Sequence, residues 1–188
     1  IKESISLILD GGTGELNSEQ MKFLRIAEKN VERLGSLIND ILDFSKLESG
    51  GTSVNPKKIN INTIINNVYE SLYPAFQDKM LEVKLELSKE VPEVWIDSDK
   101  IGQVVTNILS NAVKFSPVGG SVWIRTRPLI WEGKEYVEVS VRDTGPGISP
   151  EDIPKLFLPF SQLESPLTRK SGGTGLGLAI SKNIIELH

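Results

Sequence analysis

Residues 100–115 read KIGQVVTNILSNAVKF, and helical spacing sorts them onto two faces. Ile101, Val104, Val105, Ile108, Leu109 and Ala112 share one side as an ordinary core stripe. Gln103, Asn107, Ser110, Asn111 and Lys114 share the other. A solvent-facing helix side is normally rich in Glu, Lys and Arg, because Asn lowers helix stability. Two asparagines one turn apart, then a lysine, therefore suggest a task. Asn carries a neutral carbonyl oxygen, suited to Mg²⁺ whose charge is balanced by phosphates rather than by protein carboxylates. Lys114 can meet a phosphate oxygen as a point charge. On the helix alone, a plain polar surface against solvent or a loop fits equally well.

Around this helix the pattern alternates between strands and helices. Upstream, Asn62 to Lys79 reads as a helix with Ile64, Ile65, Val68, Leu72 and Phe76 inward. Leu81 to Leu87 alternates as a half-buried strand, and Val94-Trp95-Ile96 is a short one. Downstream, Ser121 to Ile130 and Tyr136 to Asp143 predict a hairpin about Trp131-Glu132-Gly133-Lys134. A short helix near Glu151 to Phe157, a polar loop, and a helix from about Leu176 follow. Helices mixed with hairpin strands predict an α+β domain, a mixed sheet with helices over one face.

The first fifty residues differ. Ile1 to Asp10 reads as a helix ended by Gly11-Gly12-Thr13-Gly14. Asn17 with Gln20 three residues on resembles a capping box, so a second helix begins there. Leu24, Ala27, Val31, Leu34, Ile38 and Ile41 then recur three and four apart as a heptad seam, widened by Phe23, Leu37, Leu42 and Phe44. Two helices with so broad a stripe predict half of a homodimeric four-helix bundle, with a hairpin packed on the rest of its own chain as the alternative. The boundaries are 1–49 for the hairpin, 50–56 for a linker, and 57–188 for the second domain.

Two glycine-rich segments complete the candidate site. Asp143-Thr144-Gly145-Pro146-Gly147 closes a valine-rich strand. A buried Asp there can accept a hydrogen bond from an exocyclic amine such as that of adenine, with glycines letting the ring lie close. Gly172-Gly173-Thr174-Gly175-Leu176-Gly177-Leu178 opens a helix, whose N-terminal amides favour phosphates. Each alone is also a good turn. Neither is a Walker A loop or a dinucleotide fingerprint, for no Gly-Lys-Ser/Thr follows and the first βαβ context is missing.

In this order the pieces resemble the ATP-binding domain of sensor histidine kinases, a Bergerat-type α/β sandwich shared with gyrase, the ninety-kilodalton heat-shock chaperones and MutL. Asn107 to Phe115 looks like the family's N box, and Asp143 to Gly147 like its first glycine box. Phe157-Leu-Pro-Phe160 looks like its F box, and Gly173 to Leu178 like its second glycine box. The hairpin, ending in Asp40-Ile-Leu-Asp43-Phe44-Ser45-Lys46-Leu47-Glu48, resembles the back of the dimerisation and phosphotransfer domain.

The resemblance implies ATP and Mg²⁺ as ligands. It implies Asn111 as the metal ligand, Asn107 orienting the metal shell or phosphates, Lys114 on phosphate and Phe115 near sugar or base. Asp143 would read adenine in a pocket shaped by Gly145 and Gly147. Gly173, Thr174, Gly175, Leu176 and Gly177 would border the phosphates. Ser161 to Ser171 would be a lid, where Arg169 and Lys170 are either phosphate contacts or solvated charges. Phe157 and Phe160 would pack at its hinge.

The family's acceptor histidine motif would lie upstream of Ile1, and the domain's closing strands beyond His188. This piece is thus expected to be truncated at both ends, to bind ATP, and not to phosphorylate itself. In the intact parent the γ-phosphoryl would pass to a histidine and then to an aspartate of a response-regulator receiver domain.

Composition bounds the rest. A hydrophobic fraction of 39% and a net charge of -4 describe a globular chain without the basic face of a duplex nucleic-acid binder. No apolar run spans a bilayer, so this portion is expected in the cytoplasm, with any membrane contact made by other parts of the parent. No cysteine is present, and the single histidine is His188. Competing readings are another ATPase or serine kinase of the same superfamily, and a non-catalytic dimerisation module with a degenerate pocket.

Overall fold

A computed structural model describes residues 1–51, 53–162 and 174–188. The chain is α+β, with five α-helices and five strands among the described residues. Helix α1 (Lys2–Leu9) turns back onto α2 (Ser18–Glu48). The capping box forms as read: Asn17 Oδ1 accepts from Gln20 N–H at 2.8 Å, and Gln20 Oε1 accepts from Asn17 N–H at 3.0 Å. No residue of either helix is buried. Helix α1 is too short to cover its partner. Leu24, Ala27 and Val31 are half-buried, whereas Leu34, Ile38 and Ile41 of the predicted seam lie exposed.

Strand β1 (Lys57–Ile59) pairs antiparallel with β3 (Val94–Ile96). Sequence reading missed β1, since three residues with two lysines show no alternation. Helix α3 (Ile61–Asp78) begins at an Asn60 cap, and strand β2 (Glu82–Leu87) follows it. Helix α4 (Ser98–Phe115) leads to β4 (Ser121–Trp131) and β5 (Lys134–Asp143), turning at Glu132 and Gly133, both with positive φ. The order β2-β4-β5 gives a mixed sheet: β2 runs parallel to β4, and β5 antiparallel to it. The predicted helix at 151–157 is only a 3₁₀ turn, Ile153–Lys155. Helix α5 (Gly177–Leu187) ends the chain.

The core lies between one sheet face and α3, α4 and α5. Val122 and Ile124 of β4 meet Ile65, Leu109, Ile180 and Ile184 there. Thr126, the next inward β4 residue, is kept satisfied by donating to Asn62 Oδ1 and accepting from Ser88 N–H. The opposite face carries ion pairs such as Arg125–Glu86 and Arg127–Glu138. Among the described residues no helix is long and apolar enough to cross a membrane.

Candidate functional site

The site is built on α4. Asp97 caps this helix, accepting from Asp99 N–H at 3.0 Å and Lys100 N–H at 3.1 Å through Oδ1, and from Asn55 N–H at 2.9 Å through Oδ2. The Asn55 amide first, then that of Lys100, holds its carboxyl below the ordinary carboxylate value. The far end is fixed by Lys79, whose Nζ donates to the carbonyls of Val113 at 2.6 Å and Lys114 at 2.8 Å.

Between these anchors the polar face of α4 is half-buried throughout, and its members have separate partners. Gln103 is turned away from the glycine segments: its Nε2 donates to Asp43 Oδ2 of the hairpin at 2.9 Å. Asn107 Nδ2 donates to Ser181 Oγ of α5 at 2.9 Å. The Asn111 side chain makes no hydrogen bond among the described residues. Lys114 Nζ stands 4.8 Å over the Phe115 ring. Burial first, and the charge of Arg33 second, push the Lys114 amine below its ordinary value, which marks a cation short of an anion.

The glycine segments close on this face by contact. A Cβ on Gly145 would lie 3.1 Å from Phe115 O and 2.6 Å from Asp143 Oδ1, so the first glycine turn is seated on the end of α4. A Cβ on Gly177 would lie 2.9 Å from Asn107 Cγ. Only glycine allows either approach. Gly147 and Gly175 have φ of +73° and +72°. Thr174 Oγ1 accepts from Leu176 N–H at 3.1 Å, tightening the turn before α5. Helix α5 has no side-chain cap on its N-terminus, which leaves its first amides for an anion.

Two placements, those of Asp143 and Leu176, differ from the sequence reading. Asp143 is exposed, not buried, and its Oδ1 is taken by Gly145 N–H at 2.7 Å. Leu176 is wholly buried in the core, not at the edge of a pocket, with its N–H bonded to Thr174 Oγ1 and its carbonyl to Ile180 N–H. Phe160, at φ +60°, packs edge-on against Phe44 of the hairpin at 6.3 Å between centroids. Gly173, Arg169, Lys170 and most of the expected lid lie outside the described residues. Sequence reasoning missed Ser181, although it lies one helical turn after Gly177 and so shares its face.

Residues 96–188 match the family described as "Histidine kinase-, DNA gyrase B-, and HSP90-like ATPase", and residues 1–50 match "His Kinase A (phospho-acceptor) domain". The catalytic domain of histidine kinase ThkA is 31% identical, with 70% of this chain and 80% of that one covered and a TM-score of 0.59. The chain belongs to the sensor histidine kinase family. Its carboxy-terminal part is an ATP-binding domain of that class. It is also 37% identical over 176 residues to the sensor histidine kinase GacS of Pseudomonas protegens, covering 92% of this chain and 19% of that protein. The crystal structure of full-length ShkA in complex with AMPPNP superposes on 97% of this histidine kinase chain and 39% of its own, at 27% identity and a TM-score of 0.75. The chain therefore spans about a fifth of the GacS relative's length.

Proposed function

We propose that this chain is the ATP- and Mg²⁺-binding part of a sensor histidine kinase, joined to its dimerisation hairpin. The domain bounds that go with this reading are 1–49, 50–56 and 57–188. The observation that carries it is the juxtaposition on α4 of an Asn111 side chain without a hydrogen-bond partner among the described residues and a desolvated Lys114, beside an uncapped helix N-terminus. That donor set, a neutral amide oxygen beside a lysine, fits a nucleotide–Mg²⁺ complex in which the phosphates carry the negative charge. Asn111 is the residue to hold the ion, and Asn107 borders the phosphates. When bound, Mg²⁺ neutralises charge on the β- and γ-phosphate oxygens. Lys114 and the α5 amides add positive potential on the same side, while Asp143 with Gly145 and Gly147 receives the base. That the similar ShkA structure is in complex with AMPPNP supports a nucleotide as the ligand.

In the whole protein the γ-phosphoryl passes to a histidine nitrogen: its bond to the β-phosphate bridging oxygen breaks, a P–N bond forms, and ADP leaves. The phosphoryl then goes to an aspartate of a response-regulator receiver domain. His188 does not suit the acceptor role, since its Nε2 accepts from Asp97 N–H at 3.0 Å and its Nδ1 lies 2.7 Å from Ile184 O. This piece is thus read as unable to label itself. Exposed Leu34, Ile38 and Ile41 support a homodimer through α2, and a cytoplasmic location of this portion is part of the same proposal.

The test is calorimetric titration of AMPPNP with and without Mg²⁺ into this chain and Asn111→Ala. Mg²⁺-assisted binding that the variant loses is expected. A folded wild-type chain that binds no nucleotide would overturn the reading and favour a degenerate dimerisation module.

A further inference from the structure

We infer that Ser181 is a positioning residue for the phosphate end of the nucleotide, acting through Asn107; this rests on the nucleotide reading above. Ser181 lies in α5 at 6% exposure, among Ala179, Ile180 and Ile184. A hydroxyl buried on that face is costly unless bonded, and alanine would pack there without it. Its partner on α4 also touches the glycine turn. Asn107 Nδ2 donates to Ser181 Oγ at 2.9 Å, and the same amide lies against Gly177, one helical turn before Ser181.

An amide has a donor end and an acceptor end, so a bond at one end decides what the other presents. With Nδ2 held by Ser181, the carbonyl end of Asn107 faces Gly177, the first residue of α5. That end is compatible with the N–H-rich start of a helix, whereas an –NH₂ there would set donors against donors. Ser181 and Gly177 thus grip one asparagine from two points on α5. The grip fixes the distance between the α5 N-terminus and the Asn111–Lys114 segment of α4, where the phosphates are placed. Without the hydroxyl, Asn107 can turn and the two phosphate-binding elements lose their register.

The experiment titrates Mg²⁺–AMPPNP into the full 188-residue chain and into Ser181→Ala, Ser181→Thr, Asn107→Ala and the Ser181→Ala/Asn107→Ala double variant, with a melting curve for each. Ser181→Ala is expected to bind about fivefold more weakly, the scale of one lost hydrogen bond. Ser181→Thr, which keeps the acceptor, should restore affinity. In the Asn107→Ala background the serine change should add no further loss. Ser181→Cys, near in size and a poor acceptor, serves in place of Ser181→Ala if that variant does not fold. Unchanged affinity in Ser181→Ala, a drop in melting temperature alone, or an equal loss in both backgrounds would overturn the inference while the nucleotide reading stands. A wild-type chain that binds no AMPPNP would overturn both.

Discussion

Gln103 and Asp43 stand 60 residues apart in sequence and are joined by a hydrogen bond of 2.9 Å, Gln103 Nε2 to Asp43 Oδ2. The bond ties the polar face of α4 to the last turns of α2. Phe44, the next residue along, meets Phe160 edge-on, and both Phe44 and Leu47 pack on the domain core. The hairpin and the ATP-binding domain therefore touch at the two elements that flank the nucleotide site. A Phe44→Ala, Gln103→Ala double variant should loosen that contact and expose the linker at 50–56. Cleavage within that linker by a protease of broad specificity is expected to quicken several-fold, without loss of the domain's own melting transition. An unchanged cleavage rate would mean the contact contributes little.

Gly177 offers a sharper probe of the site. An added methyl would lie 2.9 Å from Asn107 Cγ, so either that side-chain amide turns off Ser181 or the two helices part. Gly177→Ala should cost about 1–3 kcal/mol of stability by overpacking. It should weaken Mg²⁺–AMPPNP binding as well, because Asn107 must leave Ser181 or α5 must move off α4. Thermal unfolding and calorimetry on the same sample check both effects.

The same two positions show how far the sequence could be read. Helix α4 was legible in full because its two faces are chemically distinct at helical spacing, and Asn111 and Lys114 appear on the predicted side. The glycines of both turns were legible as glycines, but not what each one touches: Gly145 on Phe115 and Gly177 on Asn107 are contacts between distant segments. Asp143 shows the limit from the other side. A strand-end Asp next to Thr-Gly can either point into a pocket or bond its own turn, and residue type does not separate these; here Oδ1 bonds Gly145 N–H. Ser181 carried no signal of its own, because one serine on an apolar helix face reads as a core position. Strand β3 was legible at Val94-Trp95-Ile96, but its partner β1 was not, since three residues with two lysines show no alternation.

Asp97 makes stability depend on pH in a defined direction. Its folded-state carboxyl titrates below the ordinary value near 3.8, chiefly because the Asn55 and Lys100 amides bond the charged form. A depressed carboxylate contributes fully above the unfolded value, and that contribution is lost as pH falls through it toward the lower folded one. Between pH 6 and 3, Asp97→Asn should therefore lose less stability than the wild type, in urea melts at each pH. Asp97→Ala, which removes the cap itself, should cost about 1 kcal/mol at neutral pH. Equal pH slopes for wild type and Asp97→Asn would show that the charge is not what these amides stabilise.

The exposed stripe on α2 bears on assembly. Leu34 is 57% exposed and Ile38 50%, apolar surface that a lone hairpin leaves in water. Leu34→Gln with Ile38→Gln should shift sedimentation from dimer to monomer while leaving AMPPNP affinity within about twofold, because the change adds no charge near Lys114, which already feels Arg33 of α2. A wild-type monomer at high concentration would remove the bundle reading.

Lys114 separates folding from function most clearly. Burial lowers its amine below the ordinary 10.5, so the folded state disfavours the charge the group carries at neutral pH. The sign is opposite to that of an ion-paired lysine: the charged form costs stability at neutral pH, and the cost is relieved as pH rises through the folded value toward the unfolded one. Lys114→Met, similar in length and neutral, should therefore leave stability unchanged or slightly raised. The same change should weaken Mg²⁺–AMPPNP by about tenfold or more, since a charge-assisted contact to phosphate is lost. Loss of stability together with binding would instead make Lys114 part of the scaffold, its charge serving the fold and not the phosphates.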